Sequence, residues 1–234
     1  MSLQVRELRS GYRQGEVLHG VDLDVERGHT LAVLGRNGAG KSTLLLTLMG
    51  LVPLSGGSVR LGGRDLAGAR ADRIARAGIA LVPQGRRIWP TVTVAEHLIL
   101  AGRRGGSRSW PTERVFDLFP RLAARRRHLG GQLSGGEQQM LAMARALVTE
   151  PSVVLLDEPS EGLAPAAVDQ VADVVHTMTR AGVAVVLVEH DLHLVFGVAG
   201  AIAVLARGTV VHRAGTAAFR RDPDTAHRLL GVAT

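Results

Sequence analysis

No cysteine occurs among the 234 residues, so disulfides and thiolate metal sites are excluded and the chain suits a reducing compartment. Aromatic residues make up 3% of the chain, as one tyrosine, two tryptophans and four phenylalanines. That is little material for stacking bases, which argues against a nucleic-acid surface. The longest apolar run, Leu194 to Ala206, is well short of the ~18 residues that mark a membrane-spanning helix. Arg6, Glu7 and Arg9 interrupt the opening residues, so no signal-peptide pattern is present there. Lysine is nearly missing too: of 28 basic residues only Lys41 is a lysine. Together these gaps lead us to expect a soluble, cytosolic chain.

Apolar residues form 46% of the sequence, ample at this length for one large domain with a packed interior. The net charge of +7 is carried by arginine clusters, at Arg103, Arg104 and Arg108 and again at Arg121 and Arg125 to Arg127. Nucleic acid, an anionic membrane leaflet and plain solvation each accommodate such charge. The clusters lie amid Gly and Ser rather than along a regular basic face, which favours a solvated surface.

The stretch around which the chain is organised is Gly35-Arg36-Asn37-Gly38-Ala39-Gly40-Lys41-Ser42, followed by Thr43. It fits G-x-x-x-x-G-K-[ST], the pattern of a phosphate-cradling loop. An apolar run, Thr30 to Leu34, precedes it as a strand, and Leu44, Leu45, Leu48 and Met49 follow at helical spacing. In that context the glycines let backbone N–H groups converge on an anion at a helix N-terminus. Lys41 then reaches the β- and γ-phosphates, and the Ser42 hydroxyl holds Mg²⁺. A chain that otherwise uses arginine keeps its one lysine where a flexible point charge serves phosphate chemistry.

Further strands are expected at Leu3–Leu8, Leu18–Val25, Ser58–Leu61 (a short edge strand), Ile79–Val82, Val153–Leu156 and Ala184–Val188. A closing hairpin is expected at Ala201–Leu205 and Thr209–His212. Ser10-Gly11-Tyr12 reads as a turn, Pro53–Gly57 and Gly102–Ser109 as loops, and Asp72–Ala77 as a helix. The helical pattern from about residue 91 to 148 reads as an insertion between two parts of a mostly parallel sheet. The fold class is therefore α/β, a single domain over residues 1–234 with that helical subdomain inside it.

Ligands of parallel sheets bind beyond the carboxyl ends of the strands. Gln84, Asp157-Glu158 and His190 sit at such ends. Asp157 suits indirect Mg²⁺ coordination, and Glu158 suits a general base that polarises water. Each alone is an ordinary strand exit; beside a phosphate loop they gain chemical meaning. Ser134-Gly135-Gly136-Glu137 is a capping box opening a helix, and its glycines leave N–H groups open to a second phosphate. If that phosphate belonged to a nucleotide on a partner chain, ATP would join two such chains.

These residues resemble the ATP-binding subunit of ABC transporters from about Leu3 to the end. Gly35–Ser42 is similar to its Walker A, Val153–Glu158 to its Walker B with the catalytic glutamate, and Gln84 to its Q-loop. Leu133–Glu137 resembles the signature motif, His190 the switch histidine, and Tyr12 the aromatic that stacks on adenine. Leu34–Lys41, Val82–Ile88, Leu133–Leu141 and Gly162–Pro165 are similar to the smaller ATPase subunit of branched-chain amino-acid importers; urea and amide importers share much of this. The family's fold adds an antiparallel β subdomain to the P-loop NTPase core.

The resemblance implies an ATPase in which Lys41, Gln84, Glu158 and His190 are catalytic and Ser42, Gln84 and Asp157 serve Mg²⁺. It implies two permease subunits, a second and non-identical ATPase chain, an indirect link to an extracytoplasmic solute-binding protein, and a place at the cytoplasmic face of the membrane. No nucleic acid is expected. A soluble ABC ATPase acting on nucleic acid or ribosomes is the rival reading; it usually carries two cassettes or a long coiled-coil insertion. Two positions depart from the wider family: Ala164 stands where a D-loop aspartate is usual, and Glu137 stands where glutamine is usual.

Overall fold

The computed structural model describes residues 2–102 and 110–231; Arg103, Arg104, Arg108 and most of the Gly102–Ser109 stretch lie outside them. Six strands form the central sheet: β3 (Thr30–Leu34), β6 (Ile79–Val82), β7 (Val153–Asp157), β8 (Ala184–Val188), β9 (Ala201–Ala206) and β10 (Thr209–Gly215). Their order is β10-β9-β3-β8-β7-β6. β9, β3, β8, β7 and β6 run parallel, and only β10 is antiparallel.

The parallel strands are apolar throughout because both faces of the sheet are covered. Ala32, Leu34, Val154, Leu156, Val185 and Leu187 pack into one apolar cluster, and Leu31, Val33, Val153, Leu155, Val186 and Val188 into another. That alternation is the period-two pleat. The first cluster is completed by α3 (Val94–Gly102), α4 (Thr112–Leu118), α5 (Pro120–Ala124), α6 (Gly135–Leu147) and α7 (Pro165–Arg180). The second is completed by α1 (Lys41–Leu48) and by a smaller antiparallel sheet of β2 (Gly15–Val25), β1 (Leu3–Tyr12), β4 (Leu54–Leu61) and β5 (Arg64–Asp65), in that order. α2 (Ala71–Ala77), α8 (Leu192–Val198), α9 (Thr216–Arg220) and α10 (Pro223–Leu230) are the other α-helices among the described residues, and Gly130–Gln132 forms a short 3-10 turn.

Three local expectations are corrected. Ser10-Gly11-Tyr12 is the end of β1 and not a turn: Gly11 pairs with Glu16 and Tyr12 with Gly15 across a tight hairpin. Glycine is needed at position 11 because a Cβ there would stand 2.2 Å from the Gly15 carbonyl oxygen. The Pro53–Gly57 loop is mostly strand, since β4 begins at Leu54. β4 lies inside its sheet between β1 and β5, so the edge belongs to β5. Glycines that read as loop in the sequence here pack against β1: a Cβ at Gly56 would touch the Arg9 side chain.

Candidate functional site

The loop between β3 and α1 curls tightly because Gly35 takes φ 154°, and a Cβ there would stand 2.3 Å from the Leu205 carbonyl oxygen. α1 opens at Gly40 without a side-chain cap and without an acidic residue in its first turn. Its leading N–H groups are therefore left for an anion. Lys41 is only 5% exposed. Its Nζ donates to the carbonyl oxygens of Gly35 at 2.8 Å and Arg36 at 3.4 Å, and stands 3.8 Å from Glu158 Oε1. Burial lowers the lysine's pKa, while Glu158, Asp157 and Glu189 push it back up.

Glu158 follows β7 in a left-handed conformation, φ 48°, sparsely populated for a non-glycine residue. Its N–H is held by the Val188 carbonyl at 2.9 Å. His190 Nε2 lies 2.8 Å from Glu158 Oε1 and 3.2 Å from Lys41 Nζ. One nitrogen cannot donate to the carboxylate and accept from the ammonium together. The shorter contact assigns the proton to Nε2, leaving Lys41 to the two carbonyls. Gln84 Nε2 donates to Glu158 Oε2 at 3.2 Å and to Glu161 Oε2 at 3.0 Å. Ser42 Oγ donates to Asp157 Oδ1 at 3.2 Å. Burial raises the pKa of Asp157 from its ordinary value, against the lowering effect of Ser42. These hydroxyl and carboxyl oxygens suit a hard divalent cation. Among the described residues no cluster of three or more His, Cys, Asp or Glu could hold a metal. A cation here would need oxygens from its ligand, as Mg²⁺ does on a nucleotide.

Lys41, Ser42, Gln84, Glu158, Glu161 and His190 line one open cavity of about 610 Å³, together with Asn37, Gly38, Ala39, Gly40 and Thr43; Asp157 does not line it and meets it through Ser42. Arg36 and Gly35 line a neighbouring cavity of about 440 Å³ that reaches Leu230. Tyr12 and the Ser134–Glu137 segment stand elsewhere. Tyr12 is half exposed and does not line the cavity; from its sheet Val17 does. Ser134, Gly135, Gly136 and Glu137 line a separate depression of about 690 Å³ with Gly162, Leu163 and Ala164. There the capping box is complete: Ser134 N–H donates to Glu137 Oε2 at 2.8 Å, and Glu137 N–H to Ser134 Oγ at 3.3 Å. Of the four leading N–H groups of α6, the box uses two and leaves those of Gly135 and Gly136.

Sequence reasoning missed Glu189 and Glu161. Glu189 is 2% exposed and accepts from the backbone N–H of Ser160 at 2.8 Å, His190 at 2.7 Å and Asp191 at 3.1 Å. It ties the loop after β7 to the loop after β8 and so sets the distance from Glu158 to His190. The only signal for it was an acidic residue directly after a buried strand.

A family profile described as "ABC transporter" matches residues 18–161. The high-affinity branched-chain amino acid transport ATP-binding protein BraG of Pseudomonas aeruginosa is 40% identical over 94% of this chain and 95% of that protein. The probable branched-chain amino acid transport ATP-binding protein LivF of Archaeoglobus fulgidus is 38% identical over 70% of each. A solved ATP-binding subunit of an ABC transporter superposes with a TM-score of 0.82 at 28% identity, covering all of this chain and 96% of that one. With its phosphate loop, strand-end carboxylates and cavity in this arrangement, the chain belongs to the ABC transporter ATP-binding family and is an ATP-binding, ATP-hydrolysing cassette.

Proposed function

We propose that the chain energises the uptake of branched-chain amino acids, working at the cytoplasmic face of a membrane with permease subunits and a second, related ATPase chain. The solute class rests on the likeness to BraG and LivF over most of the chain. No helix among the described residues is long and apolar enough to cross a membrane, so attachment falls to the permease partners. A solute-binding protein outside the membrane would meet them and not this chain.

The observation that carries the mechanism is the meeting of Lys41, Glu158 and His190 in one cavity. Phosphate oxygens entering the loop replace the carbonyls of Gly35 and Arg36 as acceptors for Lys41, a charge-assisted exchange. Glu158, oriented by His190, takes the proton of the attacking water as general base. His190 and Lys41 then stabilise charge as it develops on the γ-phosphoryl oxygens. Ser42 and Asp157, with Gln84 nearby, would hold Mg²⁺, which would neutralise phosphate charge there. Gly38 to Thr43 wrap the phosphates, and Tyr12 would lie on the adenine after closure. Ser134–Glu137 open a different depression from that of the phosphate loop. We therefore assign them to a nucleotide carried by the partner chain, with closure of the pair driving the permeases. The segment between β6 and β7, with α3 to α6 among its described residues, forms the subdomain that presents them.

Glu158→Gln tests the assignment, since it keeps the side chain's size and one accepting oxygen and removes the base. The variant is expected to bind ATP with near-normal affinity, lose at least about 100-fold in turnover, and accumulate an ATP-held dimer on gel filtration. Near-normal hydrolysis would sink the role given to Glu158.

A further inference from the structure

We propose that Arg145 is a positioning residue that straps the segment 86–89 to α6, so that the Ser134 end of α6 and the groove wall at Trp89 move as one piece. The inference rests on the ATPase reading above for its source of motion; the strap itself rests on contacts.

Arg145 lies in the last turn of α6. Its Nη1 donates to the Arg87 carbonyl oxygen at 2.8 Å, and its Cζ stands 4.9 Å from the centroid of the Trp89 ring. One guanidinium therefore grips both the backbone and a side chain of the same short segment. That planar, two-sided engagement is open to arginine and not to lysine.

The segment is fastened at its other end as well. Arg86 Nη2 donates to the Glu161 carbonyl oxygen at 3.3 Å, and a Cβ placed on Gly135 would stand 2.9 Å from Arg86 Nη1. Gly135 is the first residue of α6. Gly135 and Arg145 are about 15 Å apart at 1.5 Å per helical residue. The three steps from Arg86 to Trp89 extend only about 10 Å, and the Arg86 side chain covers the rest. Gly85, Arg86 and Arg87 take φ values of 77°, 61° and 48°, a run of left-handed residues that persists only when surrounding contacts over-determine it.

Trp89, His97, Leu100 and Arg145 line a groove of about 960 Å³. Gln84, two residues before Arg86, faces Glu158. A rotation of α6 is thus passed to the groove wall through the strap.

Hydrogen exchange on the full chain tests this with and without ATP, nucleotide affinity being measured separately by equilibrium binding. Without nucleotide, Arg145→Gln and Arg145→Lys are both expected to speed exchange at residues 86–89 about five- to tenfold, with β8 unchanged. With ATP, the native chain is expected to slow exchange at residues 134–137 and 86–89 together. In the variants only residues 134–137 respond, at unchanged ATP affinity. Should Arg145→Gln fail to fold, Trp89→Leu removes the stacked partner from the half-exposed side and is read in the same way. Unchanged exchange at 86–89 in nucleotide-free variants, or a joint response to ATP that survives them, overturns the strap. Failure of the native chain to bind ATP would overturn the ATPase reading instead, and the nucleotide-free arm would still decide the strap.

Discussion

Both ring nitrogens of His97 are committed. Nδ1 donates to the Thr93 carbonyl at 2.8 Å, and Nε2 accepts from the Trp89 N–H at 3.1 Å. The ring is fully buried and stacked on Trp89 at 5.4 Å between centroids. Burial, aided by Arg145, lowers its pKa, while the Thr93 bond and Glu96 oppose the shift. A histidine depressed on folding is protonated more readily in the unfolded chain. Its contribution to stability is then complete above the unfolded value of about 6.5 and is lost as pH falls toward the folded value. Urea unfolding between about pH 7.5 and 5 should show that loss, and His97→Asn should flatten it. An equal pH slope in the variant would count against a neutral His97. Nothing at residue 97 in the sequence announced this, because the partners are backbone groups brought together by a helix and a loop.

Two helix starts on the faces of one depression differ by a single atom group. α6 begins at Ser134 with a full capping box. α7 begins at Ala164, extended at φ −70° and ψ 152°, with Pro165 behind it and no side-chain cap. Replacing a capping serine by alanine costs about 1 kcal/mol, and adding an aspartate cap gains a similar amount. Ser134→Ala should therefore lower the unfolding midpoint and Ala164→Asp should raise it, both read by denaturant titration. Opposite signs are the test; equal signs would refute the local account of either cap. The capping box was readable from Ser134 and Glu137 because it is a short-range pattern. The absence of a D-loop aspartate was readable too, but its cost to α7 needed the backbone at position 164. Strand ends were harder: Gly11, Gly56 and Gly57 imitate loop composition, while the contacts that make them strand come from distant residues.

The order of strands in the large sheet explains how four separated sequence segments form one site. Lys41, His190, Glu158 and Gln84 follow β3, β8, β7 and β6, with Asp157 the last residue of β7, and these strands are consecutive neighbours in the sheet. Apolar runs and strand-end residues were visible in the sequence. The spatial order was not, because β8 enters between β3 and β7 out of sequence order. Neither was Glu189, whose carboxylate works by collecting N–H groups from two loops. Part of the arginine charge is spoken for at this scale: Arg125 meets Glu137 at 3.5 Å, and Arg126 meets Glu113 at 3.3 Å while lying over the Phe116 ring. That supports a solvated, paired surface over a nucleic-acid face. Purification of the chain from native membranes should bring permease subunits with it in roughly stoichiometric amount. Recovery with ribosomes or DNA alone would refute the transporter role.

Lys41 has one more property. A protease that cuts only after lysine has a single bond to attack in the whole chain, Lys41–Ser42. That bond is folded into the start of α1, and its lysine is almost wholly shielded. The rate of cutting then reports the fraction of time that this loop stands open, and at high protease the rate at which it opens.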